Sequence, residues 1–353
     1  MPKVVVAMSG GVDSSVAAAL LKQQGYDVTG MMLRLWSEAG QEESNRCCTP
    51  DSLAQARRVA AILDIPFYAV DVKELFHSTV VESFLDGYAQ GLTPNPCLVC
   101  NRLIKWGYLL EHARALGADY LASGHYARKR IAADGREELL RAVDQSKDQS
   151  YILHVLTQER LGRALFPVGE FSKPDIRELA RNFNLPTASR AESQDLCFLA
   201  GQDYRDFIRR NAPQITRPGP IRDRLGRILG EHSGLAYYTI GQRKGLGIPS
   251  SVPLYVLSKD AATNSLVVGV QAELGQSVLK VHDVNWIAGA APSESIRLQV
   301  KTRYTAREAW AIVSPLAAGQ VEVHFELPQR DLTPGQAAVF YAGEVVLGGG
   351  LIQ

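Results

Sequence analysis

The chain has 353 residues, of which 46% are hydrophobic and 21% are charged, and its net charge is +1. This length leaves room for two or three domains with buried cores. No apolar stretch approaches the ~20 residues that a membrane helix needs, so we expect no membrane partner. The near-neutral charge excludes a globally basic nucleic-acid binder, and any nucleic-acid surface has to be a local patch.

The five cysteines form an odd, clustered set. Because a strand pattern begins directly at the N-terminus, we expect no signal peptide and a cytoplasmic, reducing environment. Thiols in such a chain are expected to be functional. Adjacent Cys47 and Cys48 are poor chelators as a pair, so we expect a loop or fold role for them.

The first predicted element is a buried strand, Val4–Ala7, followed by Ser9-Gly-Gly-Val-Asp-Ser-Ser15 and a helical pattern. Gly10 and Gly11 allow main-chain N–H groups to approach an anion closely. The dipole and unpaired N–H groups of the helix N-terminus complete a cradle for phosphate or pyrophosphate. No lysine follows the glycines, so this is not the common Gly-x4-Gly-Lys-Ser/Thr loop. The alternative is a tight, well-capped turn, but the added Ser and Asp side chains favour the phosphate site.

Strand and helix patterns alternate from Val4 to about Cys197, which predicts one α/β domain with a doubly wound parallel sheet. The predicted helices cover 15–24, 51–63, 72–90, 101–116, 151–156 and a segment from Ser172, and the predicted strands cover 4–7, 26–36, 66–70, 119–123 and 139–143. Nucleotides bind at the carboxyl ends of such strands. We therefore expect the backbone near Leu33, at the end of the second strand, to contact adenine.

The pattern changes after Gly201, where the chain becomes rich in Gly and Pro and the strands become short. From Ser277 onward, several segments alternate with period two, which is typical of a small antiparallel β-barrel. We therefore predict three domains: 1–201, a small mixed central domain at 202–275, and a C-terminal barrel at 276–353.

Cys97 and Cys100 form a Cys-x-x-Cys pair that follows two prolines. Since the Asn95-Pro96 step favours a turn, we expect the next helix to begin at about Asn101, with Cys100 at its N-terminus. The helix dipole would lower the pKa of a thiol at that position. A redox pair, half of a metal site and an activated nucleophile all remain open. Cys197, taken alone, is typical of a buried small hydrophobe.

Sulfur transfer explains an adenylating loop and reactive thiols in one domain. A carbonyl oxygen is a poor leaving group, whereas its adenylate can be displaced by the sulfur of a persulfide. One thiol would carry the persulfide, and the other would release sulfide from it or finish the transfer by forming a disulfide.

Several long motifs, in the right order, resemble those of the tRNA-specific 2-thiouridylases of the ATP pyrophosphatase (PP-loop) superfamily. The resemblance implies an adenine nucleotide α-hydrolase-like domain and replacement of the C2 oxygen of the tRNA wobble uridine by sulfur. The motifs are Ser9–Ser15, Thr93–Asn101, Ser123–Tyr126, Lys147–Tyr151, Asp195–Phe198, Tyr238–Gly247, Arg303–Tyr304 and Thr333–Gln336.

This resemblance implies that Cys100 is the nucleophile, that Cys197 carries the persulfide, and that ATP and Mg²⁺ are cofactors. The positions that match ATP contacts are Ala7, Met8, Ser9, Gly10, Gly11, Val12, Asp13, Ser14, Leu33 and Gly124. The positions that match contacts with the target base or other parts of tRNA are Asn95, Pro96, Cys97, His125, Lys147, Asp148, Gln149, Arg303, Tyr304 and Gln336. The expected partners are tRNA and a sulfur donor, either a cysteine desulfurase or a sulfur-relay protein.

Cys97 departs from those family members that have an aspartate acid/base at this position. A thiol does not fill that role in the same way. Cys97 is therefore either a third thiol of the relay or, with Cys100 and Cys197, a ligand of a [4Fe-4S] cluster. Such a cluster would leave one iron open to hold the attacking sulfide.

We expect an ATP-dependent sulfurtransferase that adenylates the uracil C2 oxygen. Two other classes compete with it. An adenylating ligase or amidotransferase would need an amine source rather than thiols, and a non-catalytic, metal-stapled RNA-binding protein would release no pyrophosphate. Whatever the class, the alternative for the basic residues Lys147, Arg243 and Arg303 is that they are ordinary solvated charges, and the alternative for Tyr304 is a packing role.

Overall fold

The computed structural model describes residues 1–40, 49–191, 196–330 and 332–353. Cys47 and Cys48 lie outside these ranges, as does Asp195 at the start of the motif that ends at Phe198. In the described ranges, the strands are β1 Lys3–Ala7, β2 Asp27–Arg34, β3 Phe67–Asp71, β4 Tyr120–Ser123, β5 Arg128–Ile131, β6 Glu137–Leu140, β7 Ala164–Leu165, β8 Gly219–Arg222, β9 Ile228–His232, β10 Leu254–Asp260, β11 Ser265–Val270, β12 Gln276–Trp286, β13 Ile296–Lys301, β14 Ala309–Pro315, β15 Val321–Gln329, β16 Ala337–Ala342 and β17 Val345–Ile352.

The helices of the same ranges fall mostly in the N-terminal half. The α-helices are α1 Val12–Gln23, α2 Pro50–Ile62, α3 Lys73–Phe76, α4 Glu82–Ala89, α5 Pro96–Val99, α6 Leu110–Ala115, α7 Ser150–Leu153, α8 Gln158–Gly162, α9 Lys173–Asn182 and α10 Tyr204–Asn211. Two π-helical segments, His77–Val81 and Cys100–Leu109, join α3 to α4 and α5 to α6. Short 3-10 turns cover Cys197–Leu199, Pro213–Ile215, Leu235–Tyr237, Gln271–Glu273 and Ala317–Gly319. None of the described helices is both long enough and apolar enough to cross a membrane.

A parallel five-stranded sheet in the order β3-β2-β1-β4-β7 forms the centre of the first domain. Its central strand β1 is an apolar run because both of its faces are covered, and Val4 and Val5 lie in different core clusters. Helices α1 and α9 pack on one face of the sheet, whereas Trp106 and Leu109 cover the other. The predicted doubly wound α/β fold is confirmed.

The middle of the chain forms a second sheet in the order β10-β11-β8-β9. Its core is continuous with the helical part of the first domain. Val256 and Leu266 of this sheet pack in one cluster with Phe84 and with Cys100. The small mixed domain therefore lies against the face that carries the cysteine segment.

The C-terminal strands form a closed antiparallel barrel in the order β12-β15-β14-β13-β16-β17, because β12 pairs with both β15 and β17. This confirms the predicted barrel.

Of the segment 139–143, predicted as a strand of the first domain, only Leu139 and Leu140 form a strand, and they belong to β6 of the hairpin β5–β6. Leu139 and Leu140 of β6 pair with β17 and thereby extend the barrel sheet. Tyr151 of the first domain packs in one core with Ala337 and Tyr341 of the barrel, and its hydroxyl donates to the Ala337 carbonyl at 3.0 Å. The first domain and the barrel thus share a core.

Candidate active site

A cavity of about 340 Å³ opens over the carboxyl ends of β1, β2 and β4. Ligand pockets in open α/β sheets lie at this edge, and the volume is within the range of small-molecule sites. Its lining combines residues on both sides of the loop glycines, the ends of β2 and β4 and all three cysteine positions of interest, whereas Gly10, Gly11 and Val12 are not part of it. The sequence-predicted site residues in this lining are Ala7, Met8, Ser9, Asp13, Ser14, Leu33, Pro96, Cys97, Cys100, Gly124, His125, Gln149 and Cys197.

The backbone of the glycine loop requires a glycine at position 10. Gly10 has a φ of +75°, and a Cβ there would lie 2.4 Å from the Ser52 carbonyl oxygen, so only glycine fits. The Ser9 N–H donates to Ser14 Oγ at 3.2 Å, and Ser14 Oγ donates back to the Gly11 carbonyl at 3.2 Å. These contacts hold the turn at the start of α1, and the first N–H groups of a helix have no partners within the helix itself.

Gly124 is packed against this loop from the end of β4. A Cβ on Gly124 would lie 2.6 Å from the Ser14 backbone nitrogen and 2.8 Å from the Asp13 carbonyl carbon. The glycine therefore allows two backbone segments to touch beside the cavity.

Asp13 is the acidic side chain of the loop, and its carboxylate makes three short polar contacts. Its carboxylate accepts from Lys173 Nζ at 2.7 and 2.8 Å and from the Tyr126 hydroxyl at 2.7 Å. Lys173 is 7% exposed and is the first residue of α9, which Ser172 caps through a capping box with Asp175. Lys173 was not among the predicted site residues, because its segment carries only the local signal of a helix start.

Arg190 is a second missed residue. One guanidinium nitrogen donates to Ser52 Oγ at 2.8 Å, the other donates to the Gly10 carbonyl at 3.3 Å, and an ion pair at 3.0 Å joins it to Asp51. It ties the glycine loop to the segment that leads toward Cys197. An isolated arginine in a polar stretch carries no sequence signal for this role.

The helix that carries the Cys-x-x-Cys pair begins earlier than expected. Pro96 is its first residue, and Asn95 caps it by accepting from the Cys97 N–H at 3.2 Å. Proline is well suited to this position because the first helical N–H has no partner within the helix. The expectation that the helix begins at about Asn101 is wrong, and Cys97 rather than Cys100 lies in the first turn.

Cys97, Cys100 and Cys197 all line the cavity. Cys100 is buried at 9% exposure, whereas Cys97 and Cys197 are half-buried. Asn101 stabilises the turn between the first two, because its Nδ2 donates to the Cys97 carbonyl at 2.9 Å. The three sulfur atoms therefore share one cavity with the anion loop.

His125 is buried at the cavity wall rather than exposed at the surface. Its Nδ1 lies 2.7 Å from Ser123 Oγ, and its Nε2 lies 3.4 Å from Lys105 Nζ. Burial, and then the charge of Lys105, hold the pKa of His125 well below its ordinary 6.5. The imidazole is therefore neutral at physiological pH. Lys105 also lines the cavity and was not predicted.

Of the segment 147–149, which was predicted to touch tRNA, Gln149 lines the cavity, whereas Lys147 and Asp148 do not. Asp148 is buried and accepts from the Ala142 N–H and the Ser150 hydroxyl, so its carboxylate orders its own loop. Gln149 Oε1 accepts from the Tyr126 N–H at 3.0 Å. Lys147 is half-buried next to them.

The barrel reaches the same region through three side chains. Tyr304 is 41% exposed, and burial, followed by the neighbouring Asp148 and Cys97, raises its pKa. Arg303 donates to the Ile240 carbonyl at 3.1 Å, and Gln336 donates to the Thr93 carbonyl at 2.7 Å. Tyr304 is therefore close to the cysteine segment, and Gln336 fixes the loop before it.

Within the part of the chain that the structure describes, no three His, Cys, Asp or Glu side chains come together in a way that could hold a metal ion. The three cavity cysteines thus do not form a ready ligand set for a cluster. Asp13, the acidic residue of the loop, is already engaged by Lys173.

Three family models match consecutive parts of the chain. The model described as the tRNA methyl transferase HUP domain matches residues 2–201. The tRNA methyl transferase PRC-barrel domain matches 205–270, and the aminomethyltransferase beta-barrel domain matches 276–352.

Curated relatives match the chain along its whole length. The tRNA-specific 2-thiouridylase MnmA of Moorella thermoacetica is 48% identical over 99% of both chains. The proteins of the same name from Roseiflexus castenholzii and Chloroflexus aggregans are 47% and 50% identical over 100% of this chain and 99% and 98% of theirs.

Solved structures with similar folds are more distant. A 4-thiouridine synthetase–RNA complex with bound ATP has a TM-score of 0.34 and 15% identity, over 60% of this chain and 51% of that one. The NMN synthetase of Francisella tularensis has a TM-score of 0.36 and 19% identity, over 59% and 71%.

The full-length identities and the domain match over residues 2–201 lead to one conclusion: this chain belongs to the tRNA-specific 2-thiouridylase family.

Proposed function

We propose that this protein is an ATP-dependent sulfurtransferase that converts the wobble uridine of tRNA to 2-thiouridine. The observation that carries the proposal is that residues flanking the loop glycines and three cysteines line one cavity. Neither an adenylating ligase nor a non-catalytic RNA-binding protein accounts for three thiols beside such a loop. Family membership supports the same reaction.

The first step is adenylation of the base. The uracil C2 oxygen attacks the α-phosphorus of ATP, and pyrophosphate leaves. The loop 7–14 would hold the phosphates through its N–H groups, the Asp13–Lys173 ion pair would hold the start of α1 in place, and the backbone near Leu33 would contact adenine. Mg²⁺ would enter with the ATP phosphates, since the described side chains offer no metal site of their own.

The second step is sulfur transfer. The terminal sulfur of a Cys197 persulfide attacks C2 and expels AMP, which leaves a Cys197–S–S–C2 linkage. The Cys100 thiolate then attacks Cys197 Sγ, so that a Cys100–Cys197 disulfide forms and the C2 sulfur is released as 2-thiouridine. A thiol reductant restores both cysteines with two electrons, and a sulfur donor protein reloads Cys197.

A cluster-based route fits the described residues less well. Its cysteines line the cavity but do not form a metal-binding group in the described part of the chain. We therefore assign Cys97 to the wall that meets the target base, next to Asn95 and Pro96, and derive no step through iron.

The tRNA would lie across all three domains, 1–201, 202–275 and 276–353. Gln149 lines the cavity, and the other side chains that we assign to tRNA contacts are Lys147, Arg303, Tyr304 and Gln336. Because the target base has to leave the anticodon stack, an exposed aromatic ring such as Tyr304 suits the entrance. An enzyme of this kind would act in the cytoplasm, where tRNA is available.

The test is nucleoside analysis of tRNA after reaction with anaerobically purified protein, ATP and either sulfide or a persulfide donor, with iron quantified in the same sample. We expect 2-thiouridine with the wild type and none from persulfide with Cys197→Ser. Absence of 2-thiouridine with both sulfur sources would refute the proposed function. Activity proportional to iron content would favour a cluster over the disulfide route.

A further inference from the structure

We propose that the ammonium group of Lys105 stabilises the thiolate of Cys100 and that neutral His125 positions this ammonium. The inference rests on the proposed function only in assigning the Cys100 thiolate to the sulfur-transfer step. Lys105 is thus a positioning residue for the nucleophile.

The helix geometry brings Lys105 to Cys100. Both residues lie in the π-helical segment Cys100–Leu109, where the hydrogen-bonding pattern links residue i to residue i+5. Helical side chains lean toward the N-terminus of the helix and cover the preceding turn. The Lys105 side chain therefore extends over the turn that contains Cys100, and both residues line the same cavity.

Lys105 lacks the usual counter-charge of a partly buried lysine. Among the described residues, no carboxylate lies within ion-pair distance of its Nζ, and its hydrogen-bond partner is His125 Nε2 at 3.4 Å. By contrast, the other lysine beside the cavity, Lys173, is neutralised by Asp13. A half-buried cation without a carboxylate stabilises an anion placed next to it.

The protonation state of His125 fixes the direction of this contact. An ammonium has no acceptor, so Lys105 donates to Nε2, and the remaining proton of the neutral ring is on Nδ1, donated to Ser123 Oγ at 2.7 Å. Because the burial of His125 keeps its ring neutral, it holds Lys105 without adding a second positive charge or removing the first.

The helix N-terminus does not by itself stabilise a thiolate at Cys100. The helix begins at Pro96, so Cys100 lies beyond the first turn, within which the dipole effect falls off. The titratable groups that line the same cavity are Asp13, Cys97, Lys105, His125 and Cys197. Of these, Asp13 is paired with Lys173 and His125 is neutral, which leaves Lys105 as the cation available to Cys100.

The experiment measures the alkylation rate of Cys100 against pH. The reduced full-length protein is treated with iodoacetamide, and the Cys100 peptide is quantified by mass spectrometry for wild type, Lys105→Met and Lys105→Arg. We expect Lys105→Met to raise the apparent pKa of Cys100 by about one unit, which is about a tenfold loss of thiolate at a fixed pH below the pKa. Lys105→Arg should restore most of the shift. Lys280→Met, at an exposed barrel position, is the matched control.

An unchanged alkylation profile in folded Lys105→Met would overturn the inference. If the same variant also loses ATP binding, Lys105 serves a phosphate rather than the Cys100 thiolate. The assay requires neither ATP nor tRNA. If Lys105→Met raises the apparent pKa of Cys100 as expected but the wild type forms no 2-thiouridine, the proposed function is refuted and this inference stands.

Discussion

Asp13 illustrates how a single side chain orders the glycine loop. It lies in the first turn of α1 and accepts hydrogen bonds from Lys173 and Tyr126, which come from distant parts of the chain. The carboxylate thereby fixes a lysine beside the anion site without leaving it as an unpaired buried charge. Such preorganised charge is the main source of transition-state stabilisation in phosphate chemistry.

We therefore expect Asp13→Asn to lower the rate of tRNA-dependent pyrophosphate release by about 100-fold, because Lys173 loses its partner and its orientation. A coupled pyrophosphate assay measures this rate. Asp27→Asn, at an exposed position at the start of β2, is the matched control. A wild-type rate for Asp13→Asn would argue against the loop assignment.

His154 makes stability depend on pH. It is 3% exposed, its Nδ1–H donates to the Tyr151 carbonyl at 2.7 Å, and burial lowers its pKa from 6.5 to about 4. Between these values the unfolded chain binds a proton that the folded chain does not. The free energy of unfolding should therefore fall as the pH is lowered from about 6.5 to about 4.

The expected contribution of His154 to that fall is on the order of 3 kcal/mol. Urea unfolding of wild type and His154→Gln over this pH range measures it. The variant should show the shallower dependence on pH. Equal slopes in the two proteins would contradict the assignment.

At the scale of elements, contacts between neighbouring segments determine whether the loop can form. Gly124 at the end of β4 touches the loop backbone at Ser14. We expect Gly124→Ala to weaken ATP binding by about 10- to 100-fold, because its methyl group would displace the phosphate-binding N–H groups by a fraction of an ångström or more. Isothermal titration with ATP tests this expectation.

Gly162→Ala in α8 is the control, since a Cβ there would have its nearest neighbour at 4.0 Å. Its ATP affinity should match that of the wild type. Equal affinities for all three proteins would show that the Gly124 contact does not support the nucleotide site.

The sequence predicted some elements better than others, for physical reasons. Strand β1 and the glycine loop were predictable because an apolar run and Ser-Gly-Gly-x-Asp-Ser-Ser carry local signals. The helix start at Pro96 was misplaced because proline breaks a helix interior but suits its first position. The contacts of Lys105, Lys173 and Arg190 depend on tertiary folding and have no local signature.

At the scale of the molecule, the barrel and the α/β domain share buried contacts. Tyr151 and Tyr341 lie in one core, and Asn285 Nδ2 donates to the carbonyls of His154 and Leu156. The β5–β6 hairpin of the first domain also joins the barrel sheet. Neither the hairpin partner nor this shared core was predictable, since pairing between distant strands leaves no trace in local periodicity.

We accordingly expect the α/β domain and the barrel to unfold together. Tyr341→Ala, which empties a core position shared by both, should lower the melting temperature of both domains by the same amount. Differential scanning calorimetry, combined with fluorescence of probes placed in each domain, measures this. Separate transitions, with only the barrel transition shifted, would contradict the shared core.

The central claim is that the cavity adenylates the C2 oxygen and then replaces it with sulfur. The most direct measurement uses tRNA labelled with oxygen-18 at C2 of the wobble uridine, followed by mass spectrometry of the AMP and of the tRNA nucleosides. The account predicts labelled AMP in equal amount to the 2-thiouridine formed. Formation of 2-thiouridine with unlabelled AMP would contradict it.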